Sequence, residues 1–121
     1  MADLNLTFSM TPYDRIQPLL NGEVKPDGIN LEYSNIPSPD IFYRQSKFQQ
    51  FDVSEMSFSA FLIARAKGWP FRMLPVFHNR GFYYTTIVVR KAAGIKKPED
   101  LKGKRFGVAE YAQSLALMTR G

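Results

Sequence analysis

Cysteine is absent from this 121-residue chain, which excludes disulfides, thiolate metal sites and a cysteine nucleophile. The absence fits any redox compartment and so does not locate the protein. Histidine and tryptophan each occur once. One histidine among dispersed carboxylates gives no metal-ligand spacing, so no metal is expected. The start, Met1-Ala2-Asp3-Leu4-Asn5, lacks the basic then apolar order of a secretory signal. No apolar run approaches membrane-spanning length, so no membrane insertion is expected. The chain therefore reads as cytoplasmic, or periplasmic if a leader has been removed. Internal repeats and low-complexity tracts are also missing.

What is present is a core-forming composition. Apolar residues make up 45% of the chain and phenylalanine alone occurs ten times, which excludes a disordered tail. The length suffices for one ordinary domain. The formal charge is +5. Its positive residues are scattered except for Lys91, Lys96, Lys97, Lys102, Lys104 and Arg105. No nucleic-acid motif accompanies that stripe, so no nucleic-acid partner is expected. It reads first as a solvated linker face and second as an anion-attracting cleft.

The chain is organised around residues 51–61. Phe51-Asp52-Val53-Ser54-Glu55-Met56 is short, apolar-rich and preceded by glutamines, which predicts a buried strand, central in a parallel sheet. From Phe58 the period changes: Phe58, Phe61, Leu62 and Ala66 fall at helical spacing and stop at Gly68-Trp69-Pro70. Glu55, Ser57 and Ser59 mark the change of period. Either serine can cap the helix, and either can face a ligand at the strand end; the two roles are compatible.

Upstream, Leu4, Leu6 and Phe8 alternate in a first strand. Thr11-Pro12-Tyr13-Asp14 is a helix start with Thr11 as cap, and Pro18 keeps that helix short or kinked. Pro26-Asp27-Gly28 is a turn before a second strand carrying Ile29, Leu31 and Tyr33. Ser38-Pro39-Asp40 repeats the cap-and-proline start, with Ile41, Phe42 and Phe48 facing inward. Downstream, strands are predicted at Arg72 to Phe77, Tyr84 to Val89 and Arg105 to Ala109, and a helix from Ala112 to Met118. Alternation of strand and helix implies an α/β fold with a doubly wound, mostly parallel sheet.

Two sets of segments resemble known proteins. Pro98-Glu99-Asp100-Leu101-Lys102-Gly103-Lys104-Arg105-Phe106-Gly107-Val108 resembles the connector of type 2 periplasmic-binding-protein folds, where the chain crosses into a second lobe. Tyr13-Asp14-Arg15, Pro18-Leu19-Leu20, Phe51 to Ser57 and Pro75-Val76-Phe77, in that order, resemble the 4,5-dihydroxyphthalate decarboxylase family, which shares that fold. The resemblance runs from about Leu4 to Gly121. It implies the first lobe of a two-lobed protein: residues 1–90 as first lobe, 91–103 as connector and 104–121 as the start of a second, incomplete lobe. The chain is thus expected to be a truncated portion, inactive by itself. Phe106, Val108, Leu115, Leu117 and Met118 would then lie exposed. Lys104 to Arg120 would dock on a second copy, giving a homo-oligomer, or be poorly ordered.

The resemblance implies conversion of 4,5-dihydroxyphthalate to protocatechuate and carbon dioxide without a cofactor. Many relatives of this fold are substrate-binding proteins of ABC transporters, which is the alternative. Decarboxylation needs cations or N–H dipoles at the carboxylate and a proton donor for the ring carbon. A hydroxylated ring accepts the electron density itself through a keto tautomer. Four strand ends offer candidates for a small aromatic carboxylate ligand. His78 and Glu55 are the candidate catalytic groups: His78 for its intrinsic pKa, Glu55 as a proton donor if buried. Glu55 could equally pair with Arg80 or Arg15. Arg80 suits bidentate carboxylate binding, and Arg15 competes for that task. Tyr13, Ser57, Ser59 and Tyr111 complete the candidate binding set. Each has a bland reading: an exposed arginine, a structural histidine, a helix-capping serine.

Overall fold

A computed structural model describes residues 3–81 and 87–120. It divides into two compact units, Met1–His78 and Asn79–Gly121.

The first unit is an α/β layer. Its elements are β1 (Leu4–Ser9), a 3-10 turn Asp14–Ile16 running into α1 (Gln17–Leu20), β2 (Ile29–Ser34), α2 (Ser38–Phe48), β3 (Val53–Ser54) and α3 (Phe58–Ala66). Among the described residues three strands pair, all parallel and ordered β2-β1-β3. The chain therefore lays β2 on one side of β1 and β3 on the other. That reversal is the feature that opens a crevice beyond the strand carboxyl ends. β1 pairs with β2 over six residues, from Leu4 against Ile29 to Ser9 against Ser34. Its ladder with β3 is only Phe8 against Val53 and Ser9 against Ser54.

Among the described residues β1 lies between the other two strands, and the stretch from Phe51 to Met56 pairs on its β1 side. Side chains replace part of that β3 ladder. Asp52 Oδ2 accepts from the Thr7 amide at 2.9 Å and from Thr7 Oγ1 at 2.7 Å, while the Asp52 amide donates to Thr7 Oγ1 at 3.0 Å. On the other flank Gln45 holds Phe51 like a strand neighbour. Its Nε2 donates to the Phe51 carbonyl and its Oε1 accepts the Phe51 amide, both at 3.0 Å.

The core sits at the carboxyl half of β1. Phe8, Met10 and Ile16 are buried, with Leu19, Leu20, Leu31, Tyr33 and Val53 packed around them. Leu4 at the other end is exposed. α2 turns Ile41 and Gln45 inward, with Phe42 half-buried, whereas Phe48 is 60% exposed, contrary to its expected inward role. Phe48 instead meets Tyr43 edge-on at 5.9 Å on the outer surface. Likewise α3 buries Ser59 and Ala64 and half-buries Phe61, leaving Phe58 and Leu62 exposed. α3 ends as its sequence requires. Gly68 adopts φ 80°, its amide donates to the Arg65 carbonyl at 3.0 Å, and the Trp69 amide donates to the Ala64 carbonyl at 3.0 Å. This is a Schellman termination, which satisfies carbonyls the helix leaves over.

Residues 72–77 carry no strand pairing among the described residues, so the strand expected there is absent. Pro75 removes a ladder donor in the middle of that stretch. The strand expected at Tyr84 to Val89 falls largely outside the described residues.

The second unit holds 3-10 turns at Lys91–Ala93 and Pro98–Leu101 and α4 (Ser114–Arg120). Asp100 Oδ2 accepts the amides of Lys96 at 3.0 Å and Lys97 at 3.3 Å, fixing the start of the second turn. Arg105 to Ala109 forms no ladder among the described residues, where a strand was expected, and the last helix begins two residues later than Ala112. Phe106, Val108, Leu117 and Met118 are exposed and Leu115 is half-buried.

Candidate functional site

The carboxyl ends of the three strands lead into Met10-Thr11, the segment before Ser38, and Glu55. Their side chains meet. Glu55 Oε1 accepts the Thr11 amide at 3.0 Å, Thr11 Oγ1 at 2.5 Å and Ser38 Oγ at 2.6 Å. The Thr11 and Ser38 hydroxyls also touch one another. Glu55 therefore bridges the ends of β3 and β1 across the point where strand order reverses, and ties both to the first residue of α2.

Tyr13 adds a phenol to this group. Burial and then the Glu55 charge push its pKa above the ordinary tyrosine value; hydrogen bonds with Thr11 and Ser38 pull the other way, and one with Glu55 raises it. Its ring lies within 6° of parallel to the His78 imidazole, with centroids 6.1 Å apart, an offset stack. Arg15 Nη1 donates to the His78 carbonyl at 2.6 Å. A guanidinium has five N–H donors, and that bond uses one. Tyr33, whose hydroxyl donates to the Met10 carbonyl at 2.9 Å, lines the core side; burial and the Glu55 charge raise its pKa as well.

Ser57 occupies the cap position of α3 but makes no side-chain cap bond. Its hydroxyl lies 3.2 Å from that of Ser59, and both serines are buried. The structure thus brings Tyr13, Arg15, Glu55 and His78 together, with Ser57 and Ser59 two and four residues beyond Glu55. Arg80 and Tyr111 belong to the second unit. Among the described residues the partners holding Glu55 are hydroxyls and an amide, not an arginine.

Two residues were passed over in the sequence reading: Thr11 and Ser38, both taken for helix caps. Neither helix shows a side-chain cap bond, and both hydroxyls turn to Glu55. The available signal was the repeated hydroxyl-proline pair, Thr11-Pro12 and Ser38-Pro39, after successive parallel strands.

Two depressions lie elsewhere. One of about 1080 Å³ occupies the opposite, amino-terminal end of β1 and β2, lined by Asn5, Leu20, Lys25 and Asn30. The other, about 400 Å³, is in the second unit beside Ile95, Phe106 and Leu115. The strand-end group lines neither. No group of three or more histidines, aspartates or glutamates among the described residues could hold a metal ion. No described helix is long and apolar enough to cross a membrane.

Residues 27–120 match the family described as NMT1/THI5 like. The chain belongs to that family. Its members have the periplasmic-binding-protein-like fold, in agreement with the parallel sheet and flanking helices found here. Two curated relatives are each named 4,5-dihydroxyphthalate decarboxylase. The one from Comamonas testosteroni is 38% identical over 112 residues, and the one from Pseudomonas putida 39% identical over 112. Each match covers 92% of this chain but only 34% and 43% of the respective relative. The resemblance carried by Tyr13-Asp14-Arg15 and Phe51 to Ser57 is thereby supported over nearly the whole chain.

Proposed function

We propose that this chain forms one wall of a small-molecule site and that the full-length protein decarboxylates a hydroxylated aromatic acid such as 4,5-dihydroxyphthalate. The observation that carries this reading is the meeting of Tyr13, Glu55, His78 and Arg15 at the strand ends, in a chain similar to proteins named for that reaction. Arg15 is the cation for a ligand carboxylate, and Ser57 and Ser59 supply polar contacts to the ligand.

The chemistry asks for little beyond these groups. A proton is added to the ring carbon that bears the carboxylate, while electron density from a hydroxyl para to it forms the keto tautomer. The carbon–carbon bond then breaks, carbon dioxide leaves, and the bonding pair restores the aromatic ring. His78, beside the Tyr13 ring, is the proton donor. Glu55 accepts the hydroxyl proton as the keto tautomer forms and returns it to that oxygen once carbon dioxide has left.

Carbon dioxide release from 4,5-dihydroxyphthalate by the full-length protein tests the reading. His78→Gln is expected to lower kcat by about 10²–10⁴. Tight binding without carbon dioxide release would favour the second reading, a substrate-binding protein of a transporter, which shares this fold.

A further inference from the structure

We propose that the oxygens of Thr11, Ser38, Tyr13 and Glu55 recognise the hydroxyl edge of the ligand ring, so that the ring enters with its phenolic hydroxyls toward Glu55 and its carboxylates turned away. This rests on the aromatic-acid reading above and adds an orientation and a specificity determinant to it.

The argument is a count of protons. Thr11 Oγ1, Ser38 Oγ and Glu55 Oε1 are mutual neighbours, making three oxygen–oxygen contacts. With the carboxylate ionised, the two hydroxyls own one proton each, and both are directed at Glu55. The Tyr13 hydroxyl interacts with all three residues and brings one more proton, but also further lone pairs. The Thr11 amide supplies a donor, again to Glu55. The group is therefore rich in acceptors and poor in donors. These residues are half-buried, so water can reach their spare lone pairs, and a guest that displaces that water must bring O–H groups to replace it. A catechol edge offers two adjacent O–H donors. A carboxylate edge offers none and carries the same charge as Glu55. The cationic side is instead at Arg15, held on the His78 carbonyl. Hydroxyl and carboxylate edges of one ring thus have separate stations.

The test is calorimetric, on the full-length protein carrying His78→Gln so that the dihydroxy acid is bound with little turnover, with 4,5-dihydroxyphthalate, 4,5-dimethoxyphthalate and unsubstituted phthalate. With Glu55 wild type it is expected to bind the dihydroxy acid at least about tenfold more tightly than the dimethoxy acid, the scale of one hydrogen bond to a charged group. In Glu55→Gln that preference should shrink to within about threefold, since the amide presents a donor, while phthalate binding is kept or improved. Ser38→Ala, a smaller change, should reduce the preference partially and serves if the first variant does not fold. Equal affinity for the two substituted acids with Glu55 wild type overturns the proposal, as does full preference retained in Glu55→Gln. Loss of phthalate binding in step with the dihydroxy acid would make Glu55 a mere strut and overturn it too. Failure of all three acids to bind would sink the aromatic-acid reading itself, and this proposal with it.

Discussion

Replacing Gln45 by leucine should loosen the strand that carries Glu55. Gln45 is only 6% exposed, and so is Phe51, whose amide and carbonyl it satisfies at 3.0 Å each. Leucine fills nearly the same volume but can neither donate nor accept. Two buried backbone groups then lose their partner. Each such loss costs about 1–3 kcal/mol, and the gain from burying leucine in place of an amide offsets part of it. A net loss of about 2–4 kcal/mol is expected, a large share of the 5–15 kcal/mol typical of a domain. Urea unfolding followed by circular dichroism and by fluorescence of Trp69, the single tryptophan, measures it. Amide exchange at Phe51 gives a local readout, since its proton is protected by Gln45 alone rather than by a ladder. A stability change within about 0.5 kcal/mol, with Phe51 protection unchanged, would refute the idea that a side chain stands in for a strand here.

The Thr7 clamp responds to acid. Hydrogen bonds from the Thr7 hydroxyl and amide hold the Asp52 carboxyl below the ordinary aspartate value. An acid whose folded-state pKa is depressed adds stability above its unfolded value and loses it as pH falls through the folded one. Stability should therefore drop below the ordinary aspartate range, and Asp52→Asn should flatten that part of the profile, measured by unfolding between pH 2 and 6. At the end of α3, Gly68→Ala should cost about 1–2 kcal/mol from the left-handed backbone alone, because open space surrounds the position. Gly107→Ala, also in open space but without a positive φ, should be close to neutral in the same assay.

The alternation of apolar and polar residues made β1 and β2 legible, and Ile29, Leu31 and Tyr33 do face inward. Helix stops were equally readable, since Gly68 has one conformational reason to be there. Ladder length was not. Phe51 to Met56 has three apolar residues in six, as β1 and β2 do, yet pairs over two residues, because side chains, Thr7 for Asp52 and Gln45 for Phe51, take the place of a strand there. No periodicity records a bond between Thr7 and Asp52. Amphipathic reading also misplaced Phe48, since aromatic bulk says nothing about which face a neighbouring element covers. At the site, residue types near the expected strand ends drew notice to Tyr13, Glu55 and His78, and the structure places Tyr13 beside both of the others. Thr11 and Ser38 went unseen because a hydroxyl before proline has a common local use, and only the three-dimensional meeting reveals the other one.

The bridging of the strand ends has a consequence for how such a protein can change. Backbone pairing of β1 stops at Ser9, and the gap beyond is spanned by side chains at positions 11, 38 and 55. All three positions lie outside the ladders, on three different segments. On the proposed recognition, substitution there alters what the crevice accepts without removing one rung of the sheet. Recognition and scaffold are thus inherited separately, and new ligand preferences can be explored three letters at a time on an unchanged frame.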